Sequence, residues 1–345
     1  MPLTTLKDEL KSFLDARQLP SGDGLIHLIE SSVCVLETED SSYRPLGRTT
    51  DDKQMPGGLL DFSTENSEKL PLVVIPDLHA RGDFILNTLE YKLCYKENKD
   101  DTLFHLLQKG LVRIVCVGDL LHSESRQYER WMAALKEYQK GNCTGKAMTA
   151  EMHEGISLMQ MICMLKISFP SNFHFLKGNH ENIRNSDEHG DFSFLKFADE
   201  GNMVRDFLAQ TYGEHILTVW SRWEHDLPLC AIFDNCVISH AEPAVPMDRE
   251  SIINYRIRED VVASLTWTRN DEAAKSSVQK SLENLIGKRR AAHAVWIGGH
   301  RPIEGKYVFR QSGKYIQIHN PEEENIAVVF PEKPFDPETD MHSVE

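Results

Sequence analysis

The 345-residue chain is 41% hydrophobic and carries a formal charge of −15, which suits one large domain or two ordinary ones with a sizeable core. That charge repels phosphate backbones, and no run of Lys and Arg reverses it locally, so long nucleic acids are poor partners. No apolar stretch approaches the roughly 20 residues that span a bilayer, the first residues lack the basic-then-apolar order of a signal peptide, and seven cysteines without a C-x-x-C pair suit a reducing compartment; we expect a cytoplasmic chain with no membrane association.

Residues 1–70 read as an N-terminal extension that wraps the core. Leu6, Leu10, Phe13 and Leu14 recur at helical spacing, and residues 24–36 could form a short strand or helix. Residues 41–70 are polar and broken by Gly47, Pro56, Gly57 and Gly58, the signature of a long surface loop. From Pro71 the texture changes, and residues 71–331 read as the main domain. Short β-branched runs end in polar residues: Leu72 to Ile75 before Asp77, Val112 to Val117 before Gly118-Asp119, Phe173 to Leu176 before Gly178-Asn179-His180. Two more follow, Cys236 to Ser239 before His240 and Ala294 to Ile297 before Gly298-Gly299-His300. Such runs, bounded by Gly or Pro, predict buried strands, and the helical patterns between them predict an α/β layered fold. The Met148, Met152, Met159, Met161 and Met164 stripe reads as core packing. Residues 332–345 are charged and contain proline, and read as a loosely ordered tail.

Ligands in α/β folds collect where strands deliver their carboxyl ends. Asp77, His79, Asp119, Asn179, His240 and His300 all fall at such ends, and together offer carboxylate, amide oxygen and imidazole. That mixture suits two divalent ions, manganese, iron or zinc better than calcium. Two ions about 3.5–4 Å apart can neutralise a phosphate ester and acidify a water between them. Asp119, following Gly118, is placed to give one oxygen to each.

The ordered set Asp77-Leu78-His79, Gly118-Asp119, Gly178-Asn179-His180-Glu181, Ser239-His240-Ala241 and Gly299-His300 resembles the signature of calcineurin-like metallophosphoesterases. More narrowly it resembles PPP-type serine/threonine phosphatases and bacterial symmetrical diadenosine tetraphosphatases, over Leu72 to Phe330. The resemblance implies a four-layer αββα sandwich of two mixed sheets. It implies that Asp77, His79 and Asp119 hold one ion, that Asp119, Asn179, His240 and His300 hold the other, and that His180 is the general acid. By position it also implies phosphate-binding roles for Lys177 and for Arg269 in Trp267-Thr268-Arg269, and a phosphoprotein or phosphorylated small-molecule substrate.

One motif departs from the family. Where relatives read G-D-x-x-D-R-G, this chain reads Gly118-Asp119-Leu120-Leu121-His122-Ser123-Glu124. His122 replaces the acid that orients the catalytic histidine, and Ser123 replaces a phosphate-binding arginine. Either activity is weakened, with His122 a catalytic partner of altered kind, or Glu124 and one of Arg81, Arg126 and Arg184 take over. The rival reading is a metal- or phosphate-binding scaffold that kept the cage and lost catalysis. His174, His293 and His319 read as core or rim histidines rather than ligands.

Overall fold

The computed structural model describes residues 3–63, 69–95, 100–331 and 333–344. Its strands are β1 (Leu46–Arg48), β2 (Gln54–Pro56), β3 (Leu59–Asp61), β4 (Leu72–Ile75), β5 (Arg113–Cys116), β6 (Phe173–Phe175) and β7 (Cys230–Phe233). They continue with β8 (Cys236–Ser239), β9 (Val295–Gly298), β10 (Val308–Arg310), β11 (Tyr315–Gln317), β12 (Asn325–Val329) and β13 (Met341–Ser343). β1 and β2 form a small hairpin; the others build a five-stranded sheet in the order β13-β12-β4-β5-β6 and a six-stranded sheet in the order β10-β11-β9-β8-β7-β3. Both sheets are mixed. β4, β5 and β6 are parallel in the first, and β8, β9 and β11 in the second. The five runs expected as strands therefore appear as β4, β5, β6, β8 and β9.

Side-chain alternation explains why the sheets stack face to face. Successive residues of a strand point to opposite faces. Leu72, Val74, Val115, Ala231, Phe233, Ile238, Ile316 and Ala327 meet in one apolar layer between the sheets. Their neighbours Val73, Ile75, Ile114, Cys116, Ile326 and Val328 face the opposite way, into a helical layer. Cys230, Ile232, Val237 and Trp296 face a second helical layer over the six-stranded sheet. Strands that are apolar on both faces must be covered on both, and the result is two mixed sheets flanked by helices.

The first helical layer contains α1 (Leu3–Asp15), α2 (Gly22–Glu37), α3 (Gly82–Glu90), α4 (Leu103–Gln108), α5 (Tyr128–Tyr138), α6 (Lys146–Ser168), α7 (Glu200–Tyr212) and α8 (Glu214–Asp226). Met148, Met152, Met159 and Met161 are buried in it. Helices over Glu259–Thr266 and Ser277–Ile286 contribute to the second layer. No helix among the described residues is long and apolar enough to cross a membrane.

Both chain ends are more integral than the sequence suggests. Leu6, Leu10, Leu25, Ile29, Val33 and Leu36 belong to the same apolar cluster as β4 and β5. Within the segment expected as a surface loop, β3 pairs in parallel with β7 at the sheet edge. The run Leu59-Leu60-Asp61 is too short to announce a strand, and its partner lies far along the chain. The tail expected to be loosely ordered pairs as β13 against β12, because Phe335 and Met341 bury against the layer between the sheets.

Buried charge fixes the N-terminal segment. Arg44 is fully buried and donates to the carbonyls of Gly57 at 2.7 Å and Asp226 at 2.6 Å. Its guanidinium pairs with Glu39, which also meets Lys166 Nζ at 2.5 Å and His174 Nδ1 at 3.3 Å. Burial alone would raise the Glu39 carboxyl, but Lys166 and Arg44 hold it well below its usual range. His174 is pushed down to about 4, chiefly by burial and then by Lys166.

Removing one member of such a cluster strands the others. Glu39→Gln should therefore lower the unfolding free energy by about 3–5 kcal/mol in urea titrations at neutral pH. Wild-type stability should also fall with acidification. His174 binds a proton in the unfolded chain near its ordinary 6.5 but resists doing so in the folded one until about 4, so its contribution is lost across that window. The Glu39 contribution is lost only as pH falls through its depressed folded value. A pH-independent stability between 7 and 4, or an unchanged Glu39→Gln, would contradict this account.

Candidate metal centre

Three parallel strands of one sheet and two of the other end at the same place. β4 leads into Asp77 and His79, β5 into Asp119, and β6 into Asn179 and His180; β8 leads into His240 and β9 into His300. The chain turns sharply at these ends. His79, Asp119, His122, Glu124 and His300 all have positive φ, between 45° and 78°. Non-glycine residues rarely adopt this region, and such strain persists where surrounding structure enforces it, often at functional sites. Gly118 and Gly178 are pressed together: a Cβ on Gly118 would stand 2.6 Å from the Gly178 nitrogen. The buried Glu181 carboxylate stitches the two turns, accepting from the backbone N–H groups of Asp119 at 2.9 Å, Leu120 at 2.8 Å and Gly178 at 2.6 Å.

Two clusters of donor atoms result, with Asp119 between them. In one, Asn179 Oδ1 lies 2.9 Å from both His240 Nε2 and His300 Nδ1, those two nitrogens are 3.2 Å apart, and Asp119 Oδ1 is 3.6 Å from His240 Nε2. In the other, His79 Nε2 is 3.5 Å from Asp119 Oδ2, and Asp77 lies between the clusters, gathering with His79 and His319 on one side and with Asp119 and His240 on the other. Carbonyls fix two tautomers. His79 Nδ1 is 3.3 Å from Leu121 O and His240 Nδ1 is 3.1 Å from Val117 O, so each Nδ1–H donates outward and each Nε2 turns a lone pair inward.

The residues fit a pair of metal ions. Ligands at roughly 2.0–2.2 Å from an ion lie about 2.8–3.6 Å from one another, from octahedral to tetrahedral geometry, which is the spacing of the Asn179, His240 and His300 donors. Asp77 Oδ1 and His300 Nε2 are buried without a hydrogen-bond partner. A Cβ on Gly299 would stand 2.0 Å from Asp77 Oδ1, so only glycine leaves room for that oxygen. Burial and then Asp119 raise the Asp77 carboxyl well above its ordinary range, and burial raises Asp119 to about 8. Divalent cations would reverse both shifts. Burial holds His79 and His300 well below 6.5 and His240 at about 4, which keeps them neutral, the form that ligates metal.

The remaining expected residues divide. His180 lines the cleft over the centre, with Nε2 3.9 Å from Asp119 Oδ2, its ring stacked on Phe194 and its Nδ1 buried without a partner. His122 lies beneath, stacked on Trp131 at 4.7 Å between ring centroids. Its Nδ1 accepts from the Glu124 N–H at 3.1 Å and its Nε2 faces Glu200 at 3.4 Å, so neither nitrogen serves His180. Ser123 is turned to Glu151, at 2.6 Å. Arg269 lines the cleft, joined by Lys196 and Arg301. Arg81 and Lys177 are not brought there. Arg81 donates to the carbonyls of Asp77 at 2.8 Å and of Leu78, Asn320 and Glu323 at 3.2 Å. Lys177 is buried, donating to Glu181 O at 2.6 Å and pairing with Asp191 at 3.3 Å. It belongs to a separate cavity of about 260 Å³ with His189, His225 and Arg256. No local signal in the sequence marks Glu181 as the stitch, Lys196 as a cleft cation, or His319, which stands beside Asp77 and His79.

No family model matches the sequence, and no curated relative matches it. Among solved structures, the chain is similar to a protein serine/threonine phosphatase from Saccharomyces cerevisiae described as having similarity to human phosphatase PP5. Identity is 15%, the alignment covers 97% of this chain and 94% of that one, and the TM-score is 0.56. Weaker likenesses are to a cold-active protein-tyrosine phosphatase of a psychrophile Shewanella (10% identity, 88% and 90% covered, TM-score 0.45) and a putative diadenosine tetraphosphatase (14%, 79% and 93%, 0.38). The first likeness shows that the chain shares the fold of that serine/threonine phosphatase, two mixed sheets flanked by helices.

The placement of Lys177 makes it a stabilising residue. Lys177→Met should strand Asp191 and lower the unfolding free energy by about 3–5 kcal/mol in urea. Retention of wild-type stability would contradict the buried pair.

Proposed function

We propose that this chain hydrolyses phosphate esters at two divalent ions, one held by Asp77, His79 and Asp119, the other by Asp119, Asn179, His240 and His300. The observation that carries the reading is the position of Asp119, whose Oδ2 lies 3.5 Å from His79 Nε2 and whose Oδ1 lies 3.6 Å from His240 Nε2. When bound, manganese, iron or zinc would neutralise the substrate phosphate and acidify a water for attack. The protein supplies the rest. Lys196, Arg269 and Arg301 ring the cleft and would grip the phosphate oxygens. His180, at the cleft wall, would hand a proton to the departing oxygen. His122 packs behind it, held to Glu200. The substrate classes we propose are phosphoserine or phosphothreonine in proteins and dinucleoside polyphosphates or other phosphometabolites. The second class gains support from Arg301, which follows His300 directly and reaches the cleft. Four cysteines are buried in apolar surroundings, which suits the reducing, cytoplasmic location that we propose.

A second reading, a scaffold that binds metal or phosphate without turnover, draws on one feature: Ser123 and His122 are spent on Glu151, Glu200 and the backbone, so neither of these two positions sends a carboxylate or guanidinium into the cleft. Manganese-dependent turnover of p-nitrophenyl phosphate, together with turnover of an alkyl phosphate that His180→Ala abolishes, would favour the enzyme over the scaffold.

Asp119→Asn should cut turnover more than about 100-fold and lower metal content while the circular dichroism spectrum stays native. A variant with two ions and an undiminished rate would refute the bridging role.

Arg269→Ala should raise KM roughly tenfold, the weight of one hydrogen bond to a charged group, with metal content unchanged. Unchanged kinetics would make Arg269 a surface charge only.

A further inference from the structure

His319 belongs to no motif, yet the fold carries it into the centre. β11 runs parallel to β9 with Gln317 opposite Gly298, so the two strands end level. Two residues beyond those ends stand His300 and His319. The loop holding His319 is fastened to the Asp77 turn by Arg81, which donates to the carbonyls of Asp77 and Asn320 together. His319 is fully buried, with Nδ1 3.7 Å from Asp77 Oδ2 and its ring 5.2 Å from that of His79.

Its two nitrogens have different surroundings. Nε2 is 3.0 Å from Glu124 Oε2; a carboxylate there takes the N–H, so the lone pair sits on Nδ1. That Nδ1 is buried without a hydrogen-bond partner, and Asp77, His79 and His319 can bring one ligand atom each within 4.8 Å of one another. A carboxylate fixing the outer nitrogen of a ligating imidazole is a recurrent device of metal sites. Glu124 is itself held by Lys196 Nζ at 2.7 Å from its other oxygen, in a left-handed conformation with φ of 53° that costs energy for any residue but glycine.

We infer that His319 is a seventh protein ligand of the centre, completing the shell of the ion held by Asp77 and His79, with Glu124 as the positioning residue that fixes its tautomer. The inference rests on the two-ion reading above. It makes this ion more fully ligated by protein than three residues would, and leaves fewer positions on it for water or substrate.

The test titrates the full, metal-free chain with Mn²⁺ by calorimetry. Wild type should bind two ions. His319→Ala should keep one at wild-type affinity and weaken the other by at least about 100-fold, and Glu124→Gln should weaken the same ion by about 10–100-fold. Because a buried alanine could disturb packing, His319→Cys loaded with Co²⁺ provides an independent readout: a thiolate at this position should give a thiolate-to-cobalt charge-transfer band absent from wild type. Two Mn²⁺ at unchanged affinity in His319→Ala, or two bound Co²⁺ in His319→Cys with no such band, would overturn the seventh ligand alone. Wild type binding fewer than two ions would overturn the two-ion reading, and the seventh ligand with it.

Discussion

Asp77 and Asp119 are carboxylates held in the dry centre of the molecule, and among the described residues neither meets a lysine or arginine within ion-pair distance. Burying such groups is costly unless a cation answers them. Glu39 behaves in the opposite way. It is just as deeply buried, but Arg44 and Lys166 drive its carboxyl down, whereas Asp77 and Asp119 are driven up. Neutral imidazoles, not protein cations, surround the central pair. A site built of acceptor oxygens and inward lone pairs asks for its positive charge from outside, and that demand organises much of the fold around it.

The architecture meets the demand by convergence. Parallel strands in each of two facing sheets end at one edge, and each end contributes one or two ligands. Side-chain alternation fills the layer between the sheets and the two helical layers with apolar residues, leaving the polar positions to the strand ends. The Gly118–Gly178 contact lets two turns approach as close as backbone allows, and Glu181 ties them. Lys196, Arg269 and Arg301 stay at the rim, where they can meet an anion without quenching the carboxylates beneath.

Much of this was legible in the sequence because it is local. A short apolar run followed by a Gly-Asp or Gly-Asn step declares both a strand and the ligand at its end, so Asp77, His79, Asp119, Asn179, His240 and His300 were found together. What depends on pairing between distant segments was not. β3 was hidden because its three residues acquire meaning only beside β7, and β13 because its partner is β12. His319 reads from the sequence as a core histidine, because only the fold sets it beside Asp77 and His79. Lys177 precedes a ligand motif, but its side chain points into a different cavity, toward Asp191. The His122 substitution was visible; that its partner is Glu200, on α7, was not.

The claim most in need of trial is that the buried carboxylates share two ions. Crystals grown with Mn²⁺ and measured for anomalous scattering answer it directly. The account predicts two anomalous peaks per chain, one among Asp77, His79 and Asp119 and the other among Asp119, Asn179, His240 and His300. A single peak, none, or peaks at carboxylates on the surface alone would contradict it.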